Sequence, residues 1–198
     1  MFINIPPVTQ RLIIVNAIVF LLTIAVGDAV MVPFALWPIG PHFAPWQLVT
    51  YAFLHGSVMH VVFNMFGLAM FGSDLERVWG SRRYLIYYAV SVLAAALVQL
   101  ALGLLSAASY PTIGASGGVF GLLLAFAMYF PRRTVMLIFP PVPMPAWLFA
   151  TLYGALELFL GVTGTQAGVA HFAHLGGMLG GYLLIRVWRT RRGPFAGR

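Results

Sequence analysis

Six apolar stretches, each close to the roughly 20 residues that a helix needs to cross a bilayer, dominate this sequence. They cover well over half of the 198 residues. We therefore expect an all-α, polytopic membrane protein with a bundle of six transmembrane helices, in a single membrane domain over residues 1–198. The stretches lie at about residues 12–32, 57–75, 84–105, 114–130, 145–162 and 169–188.

The composition excludes several other classes of protein. Only 8% of the residues are charged and 61% are hydrophobic, whereas about a quarter of the residues in a soluble domain are charged. A soluble monomer and a disordered chain are therefore excluded. The chain contains no cysteine, which excludes disulfides, thiol catalysis and cysteine-ligated metals. The first eleven residues lack the short apolar core and cleavage site of a signal peptide, so we expect none to be removed.

The positions of the arginines predict an orientation in the membrane. The formal net charge is +7, and all eleven basic side chains of the Lys and Arg class are arginines. They lie before the first span, between spans 2 and 3, between spans 4 and 5, and around the end of span 6. The connections at 33–56, 106–113 and 163–168 contain none. The positive-inside rule therefore predicts that both termini are cytoplasmic. The basic charge indicates membrane topology, and we expect no nucleic-acid partner.

Polar side chains open three of the spans: LHGSVMHVVFNM in span 2, GASGGVFG in span 4 and AHFAHLGGMLGG in span 6. In the predicted topology these three spans all run inward from the outer surface. His60, Asn64, Ser116 and His174 would then lie at one depth, roughly 5–10 Å below that surface. His60 and Asn64 are four residues apart and share a helix face. Polar groups inside a membrane are costly, so their convergence predicts a functional site.

Small residues predict that spans 4 and 6 pack closely. Glycines four residues apart allow helix backbones to approach each other. Close packing of these two helices would bring Ser116 to His174. The two glycine pairs are Gly117 with Gly121, and Gly177 with Gly181.

Ser116 has the local features of a nucleophile. It follows Gly114 and Ala115 at a predicted helix start, where free backbone N–H groups can stabilise a developing negative charge. A serine becomes a useful nucleophile beside a base, and histidine is the usual one. Two other interpretations stay open: the serine serves only packing, or the histidines His55, His60, His171 and His174 bind a metal. No carboxylate lies in these sequence clusters to complete a metal site, so we expect no metal and no cofactor.

Taken together, these motifs resemble the rhomboid family of intramembrane serine proteases. The resemblance covers about residues 45–184. It rests on His60 and Asn64 in HVVFN, on GASG around Ser116, and on AHLGGMLGG around His174.

The resemblance implies a role for each residue of these motifs. It describes a Ser–His dyad without a third, acidic member. Ser116 would be the nucleophile and His174 the general base. The oxyanion hole would be formed by His60, Asn64 and the backbone N–H of Ser116. The site would be supported by Gly114, Phe120, His55, Gly177 and Gly181.

The sequence departs from some members of that family at two positions. Trp46 and Gln47 stand where those members have Trp-Arg, so an arginine anchor for the outer loop is absent. Phe120 stands where some members have a tyrosine below the histidine ring. We therefore expect apolar, aromatic support for that ring.

The resemblance implies an endopeptidase that cleaves transmembrane segments of membrane-protein substrates near the outer leaflet. Substrates would enter laterally near span 5 and the outer loop, with small residues favoured at the cut, and we expect a prokaryotic cell membrane. The alternative is a non-catalytic transporter or transmembrane-helix-binding protein. Its support is Glu157, in the middle of span 5, and the proline-broken stretch VMLIFPPVPMP before that span. The role of Glu157 stays open between a neutral or paired carboxyl group and a proton or ion path.

Overall fold

The computed structural model describes residues 4–105, 110–136, 141–164 and 170–191, and over these ranges the fold is built from helices, as expected for an all-α protein. One short antiparallel pair of strands, β1 and β2, precedes the penultimate helix and aligns Val135 with Met144. The elements in order are α1 Pro7–Val26, α2 Asp28–Phe34, α3 Gln47–Thr50, α4 Val58–Gly67, α5 Ser73–Trp79, α6 Ser81–Leu105, α7 Ser116–Tyr129, β1 Thr134–Met136, β2 Pro143–Pro145, α8 Ala146–Thr163 and α9 His171–Arg191.

Within the described ranges, four helices are long and apolar enough to cross a membrane: Pro7–Val26, Val58–Trp79, Ser81–Leu105 and Ala146–Thr163. The second of these runs through α4, a π-helical segment Leu68–Gly72 and α5. The predicted fourth span is the 14-residue apolar helix α7. The predicted sixth span corresponds to α9, which has 21 residues and is not among the four. The exact count of six spans and their orientation stay predictions.

The start of the chain differs most from the predicted boundaries. The first span was expected at 12–32, but α1 covers Pro7–Val26 and stops at Gly27, whose φ of +63° lies outside the helical region. The short helix α2 follows this break. Proline is favourable in the first turn of a helix because its missing N–H needs no partner there. The first span therefore begins and ends about five residues earlier than its hydropathy suggests.

Helix α7 lies at the centre of the bundle and packs closely on α9 and α6. A Cβ atom on Gly177 of α9 would overlap the carbonyl oxygen of Gly117, so these two backbones are in direct contact. Three of these glycines also pack against α6: Gly117 on Ala95, Gly121 on Ser91 and Gly181 on Tyr87. The glycine spacing therefore predicts the contact between spans 4 and 6, and the same glycines also allow α6 to pack closely on both helices.

A buried glutamine organises the loop between α2 and α3. The Gln47 side chain is 1% exposed, and its Nε2 donates to the carbonyl oxygens of His42 at 2.9 Å and Pro33 at 3.3 Å. Its Oε1 accepts the backbone N–H of Trp37 at 3.2 Å. Trp46 donates its indole N–H to the same Pro33 carbonyl. An uncharged amide therefore closes the loop at the position where some rhomboid sequences have arginine.

Candidate active site

Ser116 is the first residue of α7, directly after a turn that depends on glycine. Gly114 has a φ of +125°, a conformation that residues with a side chain rarely adopt. Its N–H donates to the Tyr51 carbonyl at 2.9 Å, which fixes the turn. A Cβ on Gly114 would stand 2.7 Å from His60 Nε2. Glycine is therefore needed here both for the backbone conformation and for the close approach of the His60 ring.

The side chains of Ser116 and His174 meet across the contact between α7 and α9. Ser116 Oγ lies 2.7 Å from His174 Nε2, a hydrogen-bond distance. The His174 ring stacks on Phe120, with centroids 4.4 Å apart and planes 5° from parallel. Phe120 lies one turn after Ser116 on the same helix, so α7 supplies both the hydroxyl group and the surface that supports the ring.

A carboxylate lies on the other side of the same histidine, where the sequence patterns led us to expect none. Glu157 Oε2 of α8 is 2.8 Å from His174 Nδ1 and 2.7 Å from His171 Nδ1. The histidine clusters contain no carboxylate in the sequence, but an adjacent helix supplies one, so the lack of a carboxylate no longer counts against a metal site. Of the two roles left open for Glu157, pairing within the bundle agrees with these hydrogen bonds.

Sequence reasoning singled out Glu157 but did not connect it to the histidines. The available signal was the position of Glu157 inside an apolar span, because a carboxylate there needs a polar partner. His171 and His174 were the polar groups predicted at the outer end of the neighbouring span. Seventeen residues separate Glu157 from His174 along the chain.

Glu157, His171 and His174 are also the residues that could hold a metal ion, since each offers a ligand atom and these atoms lie within 4.8 Å of one another. The two N···O distances of 2.7 and 2.8 Å are those of hydrogen bonds. Ligand atoms around a tetrahedral zinc ion, each about 2.0–2.1 Å from it, stand roughly 3.3 Å apart. A bound metal would therefore require the carboxylate to withdraw from both rings.

His60 and Asn64 lie on α4 beside the Gly114 turn. Ser57 caps this helix by accepting the backbone N–H of His60 at 3.2 Å. The Asn64 amide donates to the His60 carbonyl at 3.1 Å and is buried. Of the predicted site residues, the structure brings His60 to Gly114, Ser116 to His174, and Phe120 to His174.

His55, in the loop before α4, is buried and packs edge-on against the His60 ring with centroids 4.9 Å apart. Burial, followed by the proximity of His60, lowers the pKa of His55 to about 4, against a smaller opposing effect of the Phe53 backbone. His55 is therefore neutral at neutral pH and supports the His60 ring by packing.

Two cavities of different character adjoin the site. An apolar cavity of about 440 Å³ lies between α4, α7 and α8, and Asn64, Phe120 and Glu157 are among the residues that line it. A second cavity of about 270 Å³ is lined by His60, Ser57 and the segment 110–113 before α7. His60 therefore borders one cavity and Asn64, one helical turn further on, borders the other.

Comparison with known proteins identifies the family of this chain. The family model described as Rhomboid domain matches residues 42–191. This chain belongs to the rhomboid family. It is 31% identical to Rhomboid protein 1, mitochondrial, of Saccharomyces cerevisiae, over 77% of this chain and 46% of that protein. It is 26% identical to the rhomboid protease GlpG of Yersinia pestis and 27% identical to that of Yersinia pseudotuberculosis, in each case over 93% of this chain and 63% of the relative.

Membership of the rhomboid family confirms the resemblance seen in the motifs. With the apolar helices, it identifies an integral membrane protein. The chain spans between about half and just under two-thirds of the length of the curated relatives that it matches. One relative is mitochondrial by name and others are from bacteria, so the prokaryotic cell membrane stays a prediction.

Proposed function

We propose that this rhomboid chain is an intramembrane serine endopeptidase in which Ser116 is the nucleophile and His174 the general base. The observation that carries the proposal is the 2.7 Å separation of Ser116 Oγ and His174 Nε2 inside an apolar bundle. A serine hydroxyl and an imidazole at this distance can pass a proton directly. The protease names of the relatives point to the same chemistry.

In the proposed reaction Ser116 Oγ attacks the scissile carbonyl carbon and His174 Nε2 takes the hydroxyl proton. His174 then gives this proton to the leaving amine, which produces an acyl-enzyme. Water adds to the ester with His174 again as base, which releases the acid and restores Ser116. General base catalysis of this kind contributes about 10²–10⁴-fold to the rate.

The negative charge of the tetrahedral intermediate would be held by three donors: the backbone N–H of Ser116, the His60 ring and the Asn64 amide. The cap residue Ala115 makes no side-chain hydrogen bond to the first turn of α7, so the first N–H groups of this helix have no side-chain acceptor from the cap. The Asn64 amide has two protons, and the His60 carbonyl accepts one of them. Each such donor contributes about 10²–10³-fold in known serine proteases.

The proposed substrates are transmembrane segments of other membrane proteins, and the lipid bilayer surrounds the reaction. The apolar cavity between α4 and α8 is a suitable entry for such a segment from the lipid. Asn64, one of the proposed oxyanion donors, lies in the wall of this cavity. The segment would have to unwind, because a helix shields its own carbonyl groups. Small residues at the cut and cleavage near the outer leaflet are part of this proposal. The second cavity, beside His60, would admit the water that hydrolyses the acyl-enzyme.

The alternative, a transporter or helix-binding protein, has lost one of its two supports. Glu157 is hydrogen-bonded to the site histidines and does not stand alone in the membrane. In the proline-broken stretch before α8, residues 137–140 lie outside the described residues, and the flanking segments form the β1–β2 pair.

The test uses protein purified in detergent, a fluorophosphonate probe and a single-span model substrate. We expect the wild type to be labelled and to cleave, and Ser116→Ala to do neither while keeping its helical content. Ser57→Ala removes a nearby hydroxyl that caps α4 and lines the second cavity, and we expect a much smaller loss of activity than for Ser116→Ala. A folded wild type that is neither labelled nor active would refute the protease, and an active Ser116→Ala would refute the nucleophile.

A further inference from the structure

We infer that Glu157 is a positioning residue that holds His174 in the one tautomer able to act as a base, and that His171 in turn holds the Glu157 carboxylate. The three side chains Ser116, His174 and Glu157 would then form a hydrogen-bonded triad with a fourth group behind it. The catalytic consequence of this inference rests on the proposed function, whereas the tautomer itself can be measured independently of any activity.

The tautomer follows from the chemistry of the partners. Glu157 Oε2 faces two ring nitrogens, and a protonated carboxyl group could donate to only one of them, so we take Glu157 as ionised. An ionised carboxylate only accepts hydrogen bonds, and its 2.8 Å contact with His174 Nδ1 then places a proton on Nδ1. A neutral imidazole has a single ring proton, and Nε2 then carries the free lone pair. That nitrogen is the one 2.7 Å from Ser116 Oγ. In the opposite tautomer, Nε2 would point an N–H at the serine and could not take its proton.

The carboxylate also compensates the charge that the reaction creates. When His174 takes the serine proton it becomes an imidazolium ion in a buried site, where Glu157 is 7% exposed. A charge formed in such surroundings is strongly disfavoured unless an opposite charge is already in place. Glu157 supplies that charge before the reaction begins, as the acidic member of a serine-protease triad does.

His171 provides a second hydrogen bond to the Glu157 carboxylate, besides that of His174. It lies one turn before His174 on α9, and the two rings are nearly perpendicular, at 87°. Its Nδ1 is 2.7 Å from the same oxygen, Oε2, that contacts His174. Glu157 is therefore fixed by two histidine rings from one helix, which limits the positions that its flexible side chain can take beside the base.

The first test measures the tautomer directly, by nitrogen NMR of protein labelled at its histidines. The His174 signals are assigned by their loss in His174→Gln. We expect wild-type His174 to carry its proton on Nδ1, and Glu157→Met, which removes the acceptor at similar side-chain length, to shift the population toward a proton on Nε2. A wild-type proton on Nε2, or the same Nδ1 population in Glu157→Met, would overturn the inference even if the protein had no protease activity.

The second test separates positioning from substrate binding. By analogy with a serine protease that has lost its triad carboxylate, Glu157→Met should lower kcat on the order of 10²–10⁴-fold and slow fluorophosphonate labelling, with KM changed little. Glu157→Asp should restore part of kcat, and His171→Phe should cause a smaller loss than Glu157→Met.

The matched control is Glu76→Gln, which alters the other deeply buried glutamate of the described residues, outside the site. We expect it to leave the His174 tautomer and kcat unchanged. With an active wild type, a Glu157→Met kcat within about threefold of wild type would refute the positioning role. Should Glu157→Met fail to fold, Glu157→Leu replaces it in the tautomer test, because it also lacks an acceptor, and Glu157→Gln replaces it in the kinetic test, because it keeps the shape and removes the charge.

Discussion

Two glutamates are buried to nearly the same degree in this molecule, and their donors distinguish their roles. Glu76 is 3% exposed and Glu157 is 7% exposed. Glu76 accepts the N–H groups of Val8 and Thr9 and the hydroxyl groups of Thr9 and Ser81, at 2.7–2.9 Å. None of these donors changes its protonation near neutral pH. Glu157 contacts two imidazole rings instead, and one of them reaches the serine.

The comparison shows that burial of a carboxylate alone does not indicate catalysis. Glu76 joins the first turn of α1 to Ser81, the first residue of α6, and a negative charge at a helix N-terminus is favourable in itself. It serves the assembly of the bundle. Glu157 contacts groups that can gain or lose protons, so the same residue type can serve a reaction.

The largest losses of cleavage should come from substitutions of His174, through which Glu157 is inferred to act, and of Ser116. Ser116→Ala and His174→Gln should each lower cleavage on the order of 10⁴-fold or more. Adding Glu157→Met to His174→Gln should cause little further loss, because a positioning residue has no effect once the group that it positions is gone. The measurement is single-turnover cleavage by the single and double variants. Losses that multiply in the double variant would show that Glu157 acts independently of His174.

A large loss of activity is also expected from a change at the contact between α7 and α9, which leaves both glutamates unaltered. Gly177→Ala places a methyl group against the Gly117 carbonyl oxygen and should force α7 and α9 apart. The cost in stability should be about 1–3 kcal/mol, and cleavage should fall at least about tenfold, because a displacement near 1 Å already costs about 10²-fold in other sites.

Gly103→Ala is the matched control for Gly177→Ala, since a Cβ there meets nothing closer than Pro38 at 4.0 Å. It should be neutral or slightly stabilising, because alanine favours helix. Equal activity of the two alanine variants, measured per folded molecule, would contradict the idea that close backbone contact sets the Ser116–His174 distance.

Glu76→Gln should lower the stability and leave kcat unchanged, whereas Glu157→Met should lower kcat. An amide can accept on one side only, so two of the four donors around Glu76 would face an NH₂ group. We expect a loss of about 1–3 kcal/mol in stability, seen as a lower melting temperature in detergent, with kcat per folded molecule unchanged. A reduced kcat at an unchanged melting temperature would break the distinction between the two glutamates.

The smallest effect concerns His55, a buried histidine packed on another histidine and not on a carboxylate. Its pKa is about 4 in the folded protein and about 6.5 when unfolded. Above pH 6.5 both states are neutral and His55 contributes nothing to pH dependence. Below that pH the unfolded state binds more protons, so stability falls as the pH is lowered from 6.5 toward 4.

At pH 5.5 the loss due to His55 should be about 1 kcal/mol. The measurement is the melting temperature of wild type and His55→Gln across this range. The variant should have the weaker pH dependence, and identical pH profiles would contradict the assignment to His55.

Local sequence rules predicted much of the site. Ser116 at a helix start after Gly114 and the glycine contact that brings in His174 follow from spacing within one helix or from one pair of helices. The place of Phe120 under the histidine ring came from the resemblance to the rhomboid family. The break after α1 was missed because hydropathy continues through Gly27 and only the backbone angle reveals the interruption. The short central helix α7 was likewise predicted longer than it is.

The sequence by itself determined the class of protein, because too few charged residues are present to cover a water-facing surface. It also singled out Ser116 and His174, the proposed nucleophile and base, because their motifs are local. The tertiary structure alone decided which helix stands behind His174. Glycine spacing specifies a face but not its partner, and Gly117, Gly121 and Gly181 turned out to contact α6 as well. The rotation of α8 about its axis, fixed by packing, placed Glu157 within 2.8 Å of His174 Nδ1.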